Sequence, residues 1–362
     1  MKKLLACAAL SGCAVTVQAQ SSNVTLYGVI DGGLSRSSNV NGKSLNAVDT
    51  GILSPNIIGI RGSEDLGDGM RAFFRLQSQF QMDSGAQVGN LWGHYAGVGL
   101  EGRFGQIQAG NLNDFMFTTL TQKTYGPMFP FVSIQFMRRG PFDGFGRPGG
   151  QSPSADFDRT GNTSRIGNAV RYDSPRVYGV QLGALYGFGE STTAGTNNSS
   201  SKSYSADYTG GPVTLTAAYT SVNYAALGNG EDGVRTWGAG ARYDFGDGVH
   251  WSGVYTNSRN TANDARIGAF ATALLFSPTT NTRAIGQYTY MKGNEVLTNN
   301  KAHQVNLSLH YLFSKRTNVY TSFGWQHATG DAEKVQAALM ASAGAASGSS
   351  QNILRVGMQH AF

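Results

Sequence analysis

Cysteine is almost missing from this 362-residue chain: there are two, Cys7 and Cys13, both at the extreme N-terminus. A disulfide framework or a cysteine-based metal centre is therefore excluded for everything that follows them. Charge is also scarce, at 14 % of residues, and the formal net charge of +6 is scattered rather than clustered, which gives nucleic acid no basic patch to bind. Beyond the N-terminal segment there is no apolar run of 18 or more residues, so no transmembrane helix is predicted. A closed barrel survives that test, because its strands satisfy their backbone hydrogen bonds in lipid while showing only alternation. The histidines, His94, His250, His303, His310, His327 and His360, show no metal-ligand spacing. No Ser/His/Asp constellation or nucleophile elbow is present. The run "GFGRPG" (144–149) matches a dinucleotide fingerprint only in form, since no strand precedes it, no helix follows and Pro148 interrupts it. No enzyme activity, cofactor or metal is expected.

What is abundant points elsewhere. Forty-nine glycines and 35 Tyr plus Phe suit a β-rich chain with many tight turns. The opening "MKKLLACAALSGCAVTVQAQ" has a positive n-region at Lys2 and Lys3, an apolar h-region and a small-x-small site at Val17-Gln18-Ala19. Residues 1–19 are expected to be a signal peptide and 20–362 the exported chain, with both cysteines removed. A rival reading takes Leu10-Ser11-Gly12-Cys13 as a lipobox, with Cys13 lipidated.

Period-two alternation between turn clusters predicts sixteen strands, near 24–36, 52–62, 70–81, 91–101, 103–110, 164–173, 177–188, 201–210, 212–222, 234–245, 247–258, 264–276, 281–293, 301–313, 316–328 and 351–362. Their connections alternate in length. Short turns such as "SEDLGDG" (63–69), "EGR" (101–103), "TGGP" (209–212) and "FGDG" (245–248) are separated by longer Ser/Asn/Gly-rich stretches, the longest at 111–163 and 328–350. An up-and-down sheet crossing a membrane has this rhythm, with tight turns on one side and long loops on the other. In "HQVNLSLHY", Val305, Leu307, Leu309 and Tyr311 share one face, and Gln304, Asn306, Ser308 and His310 share the other. Ile166, Val170 and Tyr172 likewise oppose Arg165 and Arg171, with Asn168 out of pattern. Sixteen strands make a ring too wide for side chains to fill, so water fills it and the polar face goes with the water. The fold expected is all-β: a 16-stranded antiparallel transmembrane β-barrel.

The blocks "QSSNVTLYGVIDGGL" (20–34), "GIRGSEDLGDGMRAFF" (59–74), "VGLEGRFGQIQAG" (98–110), "NAVRYDSP" (168–175), "YLFSKRT" (311–317) and the terminal Phe362 resemble the Gram-negative general porins, nearest to the β-proteobacterial group. The resemblance implies a passive, water-filled channel of the outer membrane for small hydrophilic solutes and ions, with a homotrimer as the usual assembly. It also implies that the third long loop, about 111–163, folds inward to narrow the channel. Other implied partners are outer-membrane lipid, lipopolysaccharide, and the barrel assembly machinery, which reads the C-terminal strand through Phe362.

Such porins oppose a basic wall to acidic groups on the inward loop. By position, Arg61, Arg75, Arg165 and Arg171 keep basic wall residues, and Asn111, Asp114, Arg138, Arg139, Asp143 and Arg147 belong to the pore loop. Two arginines of the pattern are missing, with Ile57 and Asn111 in their places. A weak anion preference is expected. The alternative is a substrate-specific channel for small acidic or aromatic solutes, suggested by the aromatic loop stretch "FMFTTLTQKTYGPMFPF" beside the basic wall. Each residue also has a plainer reading: Arg61 as a partner of Glu64 or Asp65, Arg138 and Arg139 as a solvated loop edge, and the loop aromatics as packing against the wall.

Overall fold

A computed structural model describes residues 23–133, 139–149, 152–161, 164–189, 199–340 and 344–362. Its strands are β1 (Asn23–Val40), β2 (Lys43–Thr50), β3 (Ile57–Gly67), β4 (Met70–Phe80), β5 (Gln87–Val88), β6 (Tyr95–Gly102), β7 (Gly105–Asn113), β8 (Arg165–Asp173) and β9 (Val180–Gly187). They continue as β10 (Ser201–Gly210), β11 (Val213–Asn223), β12 (Gly233–Gly246), β13 (Val249–Asn260), β14 (Arg266–Phe276), β15 (Thr282–Gly293), β16 (Lys301–Leu312), β17 (Thr317–Thr329) and β18 (Ser350–Ala361). Every pairing is antiparallel, and β18 returns to pair with β1 from Val29↔Ala361 to Ser37↔Ile353. Among the described residues each of the long strands pairs on both sides, which is what hydrocarbon demands of a sheet. Sixteen strands form the wall. The short β2 and β5 extend the lines of β3 and β6 at the long-loop end, where β2 pairs with β1 and β5 with β4.

The predicted alternation is borne out by burial. On β16, Leu307, Leu309 and Tyr311 are exposed on the outside, while Gln304 and His310 are buried inside. On β18, Leu354, Val356 and Met358 point outward and Arg355 inward. Phe362 closes the ring. Its backbone N–H donates to Gly28 O and its C=O accepts from Gly28 N–H, both at 3.1 Å. The ring rests where a Cβ at Gly28 would stand, so the last residue needs that glycine.

Three expectations are corrected. Residues 52–56 are not strand: the run "GILSPN" (51–56) leaves the sheet, with Ile52, Leu53 and Asn56 buried. Asp31 holds this kink. It accepts from the Leu53 N–H at 2.6 Å and from the Tyr320 hydroxyl at 2.5 Å, and it lies 3.5 Å from the guanidinium of buried Arg355. "SEDLGDG" is a shorter turn than expected, since β3 continues to Gly67 and only Asp68 and Gly69 turn the chain. Ile166 does not share the outer face of Val170 and Tyr172, because β7 slips register between Gly110 and Leu112 and Asn168 takes a positive φ of 48°. Ile166 therefore packs inward with Leu112 in the buried apolar core.

That core lies between the barrel wall and the loop that follows β7. Phe115, Met116, Leu120, Tyr125 and Met128 of the loop pack on inward-facing Leu185, Ala218, Val254, Ala273 and Ile285. A second cluster joins Phe142, Phe145 and Phe157 to Ile267, Ala269, Met291 and Ala302. Small inward residues on β14 (Ala269, Ala271 and Ala273) leave the room that the loop fills. Burying this much apolar surface is what draws the loop inward.

Candidate functional site in the barrel lumen

The loop enters at Asp114 and runs as a short wide-turned helix over Met116–Lys123, laid along β10, β11 and β12. Polar pairs fix it to the wall: Phe115 N–H to Ser203 Oγ at 3.1 Å, Thr124 to Thr216 at 2.6 Å, and Gln287 to the Tyr125 hydroxyl at 2.8 Å. Farther on, Ser308 donates to Phe131 O, Asn260 to Phe145 O and Thr256 to Asp158, before the chain returns to β8. The loop thus lines the inside of the barrel from β10 to β16.

On the opposite wall stands a basic pair. Arg61 of β3 and Arg75 of β4 are direct cross-strand partners. Arg61 lies over the Tyr27 ring, 5.0 Å from its centroid, and Arg75 over the Tyr95 ring at 4.5 Å. Arg75 Nε donates to the Tyr27 hydroxyl at 3.1 Å and Nη2 to Gln77 at 2.6 Å. Tyr95 in turn donates to Gln108 at 2.5 Å. Like charges placed directly opposite in a sheet are destabilising. Here aromatic faces hold both guanidinium groups, neutral acceptors also hold that of Arg75, and among the described residues neither forms an ion pair with a carboxylate. Their positive field is left for the water beside them.

The other expected wall arginines are differently placed. Arg171 is engaged on every side: both of its hydrogen bonds to Asp173 measure 2.7 Å, it donates to Asn113 O at 2.9 Å and to Thr118 at 3.0 Å, and it covers the Phe115 ring. It clamps the loop entrance while Asp173 cancels its charge. Arg165 donates to His94 O at 2.8 Å and lines, with Asn111, a cleft of about 700 Å³ beneath the 88–94 segment. Asn111 itself donates to Gly93 O at 3.0 Å.

Most loop residues marked by sequence serve the loop itself. Asp114 is fully buried, ion-paired to Arg159, and accepts from the Phe117 N–H. Asp143 accepts from Ser152 and Ser154, at 3.0 and 2.9 Å. Arg147 donates to Ala155 O at 2.7 Å from a buried position. Arg139, also buried, donates to Met340 O, and Gly140 N–H bonds Ala338 O at 3.0 Å. These two contacts join the pore loop to the last long loop, which enters the mouth and packs Leu339 and Met340 against Ile52 and Ile353. Arg138 lies outside the described residues.

Sequence reasoning missed a second charged group. Asp207, facing inward on β10, takes Lys123 of the loop and Arg176 of the β8–β9 turn, each at 2.5 Å. Arg242 on β12 donates to Lys123 O at 2.8 Å. Two cations share one carboxylate, and a third lies beside them. Their separation in sequence gave no motif to find.

A sequence profile described as Gram-negative porin matches residues 6–331. The chain belongs to the Gram-negative porin family. Among relatives of this porin, an outer membrane porin of Bordetella pertussis is 32 % identical over 275 residues, covering 67 % of this chain and 66 % of that one. Outer membrane porin protein 32 of Delftia acidovorans is 28 % identical over the full length of both. The solved anion-selective porin of Comamonas acidovorans superposes with a TM-score of 0.78 and 25 % identity, covering 94 % of this chain and all of that one. OmpF of Salmonella typhi has the same fold at 17 % identity and a TM-score of 0.65, over 94 % of this chain and 97 % of its own. The porin is thus an outer-membrane β-barrel and a passive, water-filled channel, a family of channels rather than of enzymes.

Proposed function

We propose that this porin prefers anions and that Arg61 and Arg75 set the preference. The observation that carries the reading is the inward cross-strand pair itself, two guanidinium groups side by side with, among the described residues, no carboxylate bridging them. Lys123 and Arg176, which share the one carboxylate of Asp207, and Arg242, bonded to the Lys123 carbonyl, add to the same sign. Solutes move down their gradient between the loop-lined wall and this basic wall, and the electrostatic barrier is lower for anions. The Comamonas porin of similar fold is named anion-selective, in keeping with this reading. Reversal potentials in a planar bilayer under a salt gradient test it, and a cation-selective result overturns it.

A second reading has its own observation. Half-buried Tyr27 lies beside both arginines, an aromatic and cationic surface that suits small acidic or aromatic solutes. Saturable flux, or conductance block by benzoate but not by acetate, is its signature.

The remaining features of this reading are a signal peptide at residues 1–19, a homotrimer, contact with outer-membrane lipid and lipopolysaccharide, and Phe362 as the mark read by the assembly machinery. The apolar side chains exposed on the outer face around β1, Val24, Leu26, Leu34, Ile58 and Val98, suit a subunit contact. A Vibrio cholerae OmpT of the same fold is described in a trimer form.

A further inference from the structure

Asn111 departs from the family pattern, and the basic pair gives that departure no role. It stands near the end of β7, where the chain turns toward the pore loop, and its Nδ2 donates to Gly93 O at 3.0 Å. Arg165, at the start of β8, donates from Nε to His94 O at 2.8 Å. His94 Nδ1 lies 3.2 Å from Gln77 Oε1 of β4, and Gly93 N–H donates to Asn90 O at 2.8 Å. The 89–94 segment between β5 and β6 is thus pinned to three strands. The space beneath it is held open.

That space is a cleft of about 710 Å³, lined by Gln79, Asn90, Trp92, His94, Asn111 and Arg165. Small-molecule sites fall between roughly 300 and 1,000 Å³. The lining combines one half-buried indole, one guanidinium, three amides and one imidazole, drawn from β4, the 89–94 segment, β7 and β8. Among the described residues no carboxylate lines it. Gln79 lies on the inward face of β4, four residues beyond Arg75 in the direction of the long loops. The cleft therefore opens beside the channel, about 13 Å nearer the long-loop end than the basic pair.

Each group narrows what fits. A guanidinium binds a carboxylate through charge-assisted N–H bonds. Amides and imidazole both donate and accept, which is what a row of hydroxyls requires. Asn111 spends its nitrogen on Gly93, so its oxygen is the end offered to a hydroxyl; an arginine there would offer only donors and would fill the space. The indole adds a flat apolar face, which suits the C–H face of a sugar ring. A plain aliphatic or aromatic acid would leave the amides unpaired, and a neutral sugar would leave the guanidinium without its anion.

We propose that the cleft binds a sugar acid, a monosaccharide ring bearing one carboxylate. The carboxylate meets Arg165, the ring lies on Trp92, and hydroxyls bond Gln79, Asn90 and Asn111. The site holds such a solute on the long-loop side of Arg75 before it passes. The inference rests on the channel reading and is independent of the ion preference assigned to Arg61 and Arg75.

Sodium D-glucuronate, titrated against single-channel chloride current at constant ionic strength, tests it. The current should fall to a plateau, while glucose, acetate and benzoate at the half-saturating concentration leave it nearly unchanged. Arg165→Gln should raise that concentration about tenfold or more. Asn111→Arg should raise it too, although the added charge by itself would draw an anion more strongly. Saturation-transfer NMR on the detergent-solubilised protein reads the same binding without conduction, and Trp92→Ala should remove the transfer to the sugar-ring protons. The comparison of the four solutes on the unaltered protein needs no variant to fold. A linear fall without a plateau, an equal effect of acetate or benzoate, or tighter glucuronate binding by Asn111→Arg would each overturn the proposal. Absence of conductance with no solute present would count against the channel reading, and the NMR titration would still decide the cleft.

Discussion

Arg75→Gln removes one unneutralised lumenal charge and keeps a hydrogen-bonding side chain beside Tyr27 and Gln77. An anion passing about 5 Å from the guanidinium in a water-filled channel gains about 0.8 kcal/mol from it. Salt at about 0.1 M screens that to about 0.5 kcal/mol, and a cation loses as much. The difference between the two ions is then about 1 kcal/mol, which is about fivefold in the anion-to-cation permeability ratio. The assay is the reversal potential of single channels under a KCl gradient, with Arg235→Gln as the control. That variant loses the same formal charge from the outer face of β12, so net charge alone would treat the two alike. The reasoning fails if Arg75→Gln leaves the ratio where it was, or if Arg235→Gln shifts it equally.

Asp207→Asn leaves Lys123 and Arg176 without their shared carboxylate, so the ratio should move the opposite way, by about two- to fivefold toward anions in the same measurement. Asp114→Ala strands the buried Arg159 guanidinium, a loss of about 3–5 kcal/mol that falls on the loop rather than on the barrel. Noisier single-channel conductance and new protease cleavage between 111 and 164 should report it, while the β-sheet signal in circular dichroism persists. Deleting Phe362 removes both of its backbone bonds to Gly28 and the ring that covers that glycine. The yield of folded, heat-modifiable protein should fall sharply, while channels that do form keep their conductance.

The barrel was legible because membrane and water act on each residue locally. A strand with lipid on one side and water on the other must alternate, so β16 and β18 reveal their faces without any knowledge of their neighbours. The same logic misled at Ile166, where the wall is covered from inside by the loop and the inward face is apolar. It also gave no warning at 51–56, where an apolar stretch that reads as strand instead turns into the lumen to meet Asp31 and Leu339.

Charge was the harder half. Arg61, Arg75, Arg171 and Asp114 look alike in sequence, as charged residues at wall or loop positions. Whether a charge acts on the channel depends on what stands within a few ångströms of it. Arg171 meets Asp173 two residues away, yet its other partners, Asn113 and Thr118, come from across the loop entrance. Asp114 meets Arg159 across 45 residues, and Arg355 reaches Asp31 across the closing seam of the ring. The sequence by itself determined an exported β-barrel with its lipid and water faces, because alternation and loop rhythm are imposed residue by residue. Only the tertiary structure decided which cations remain unneutralised in the lumen, because pairing at hydrogen-bond distance exists only once the ring has closed and the loop has packed against its wall.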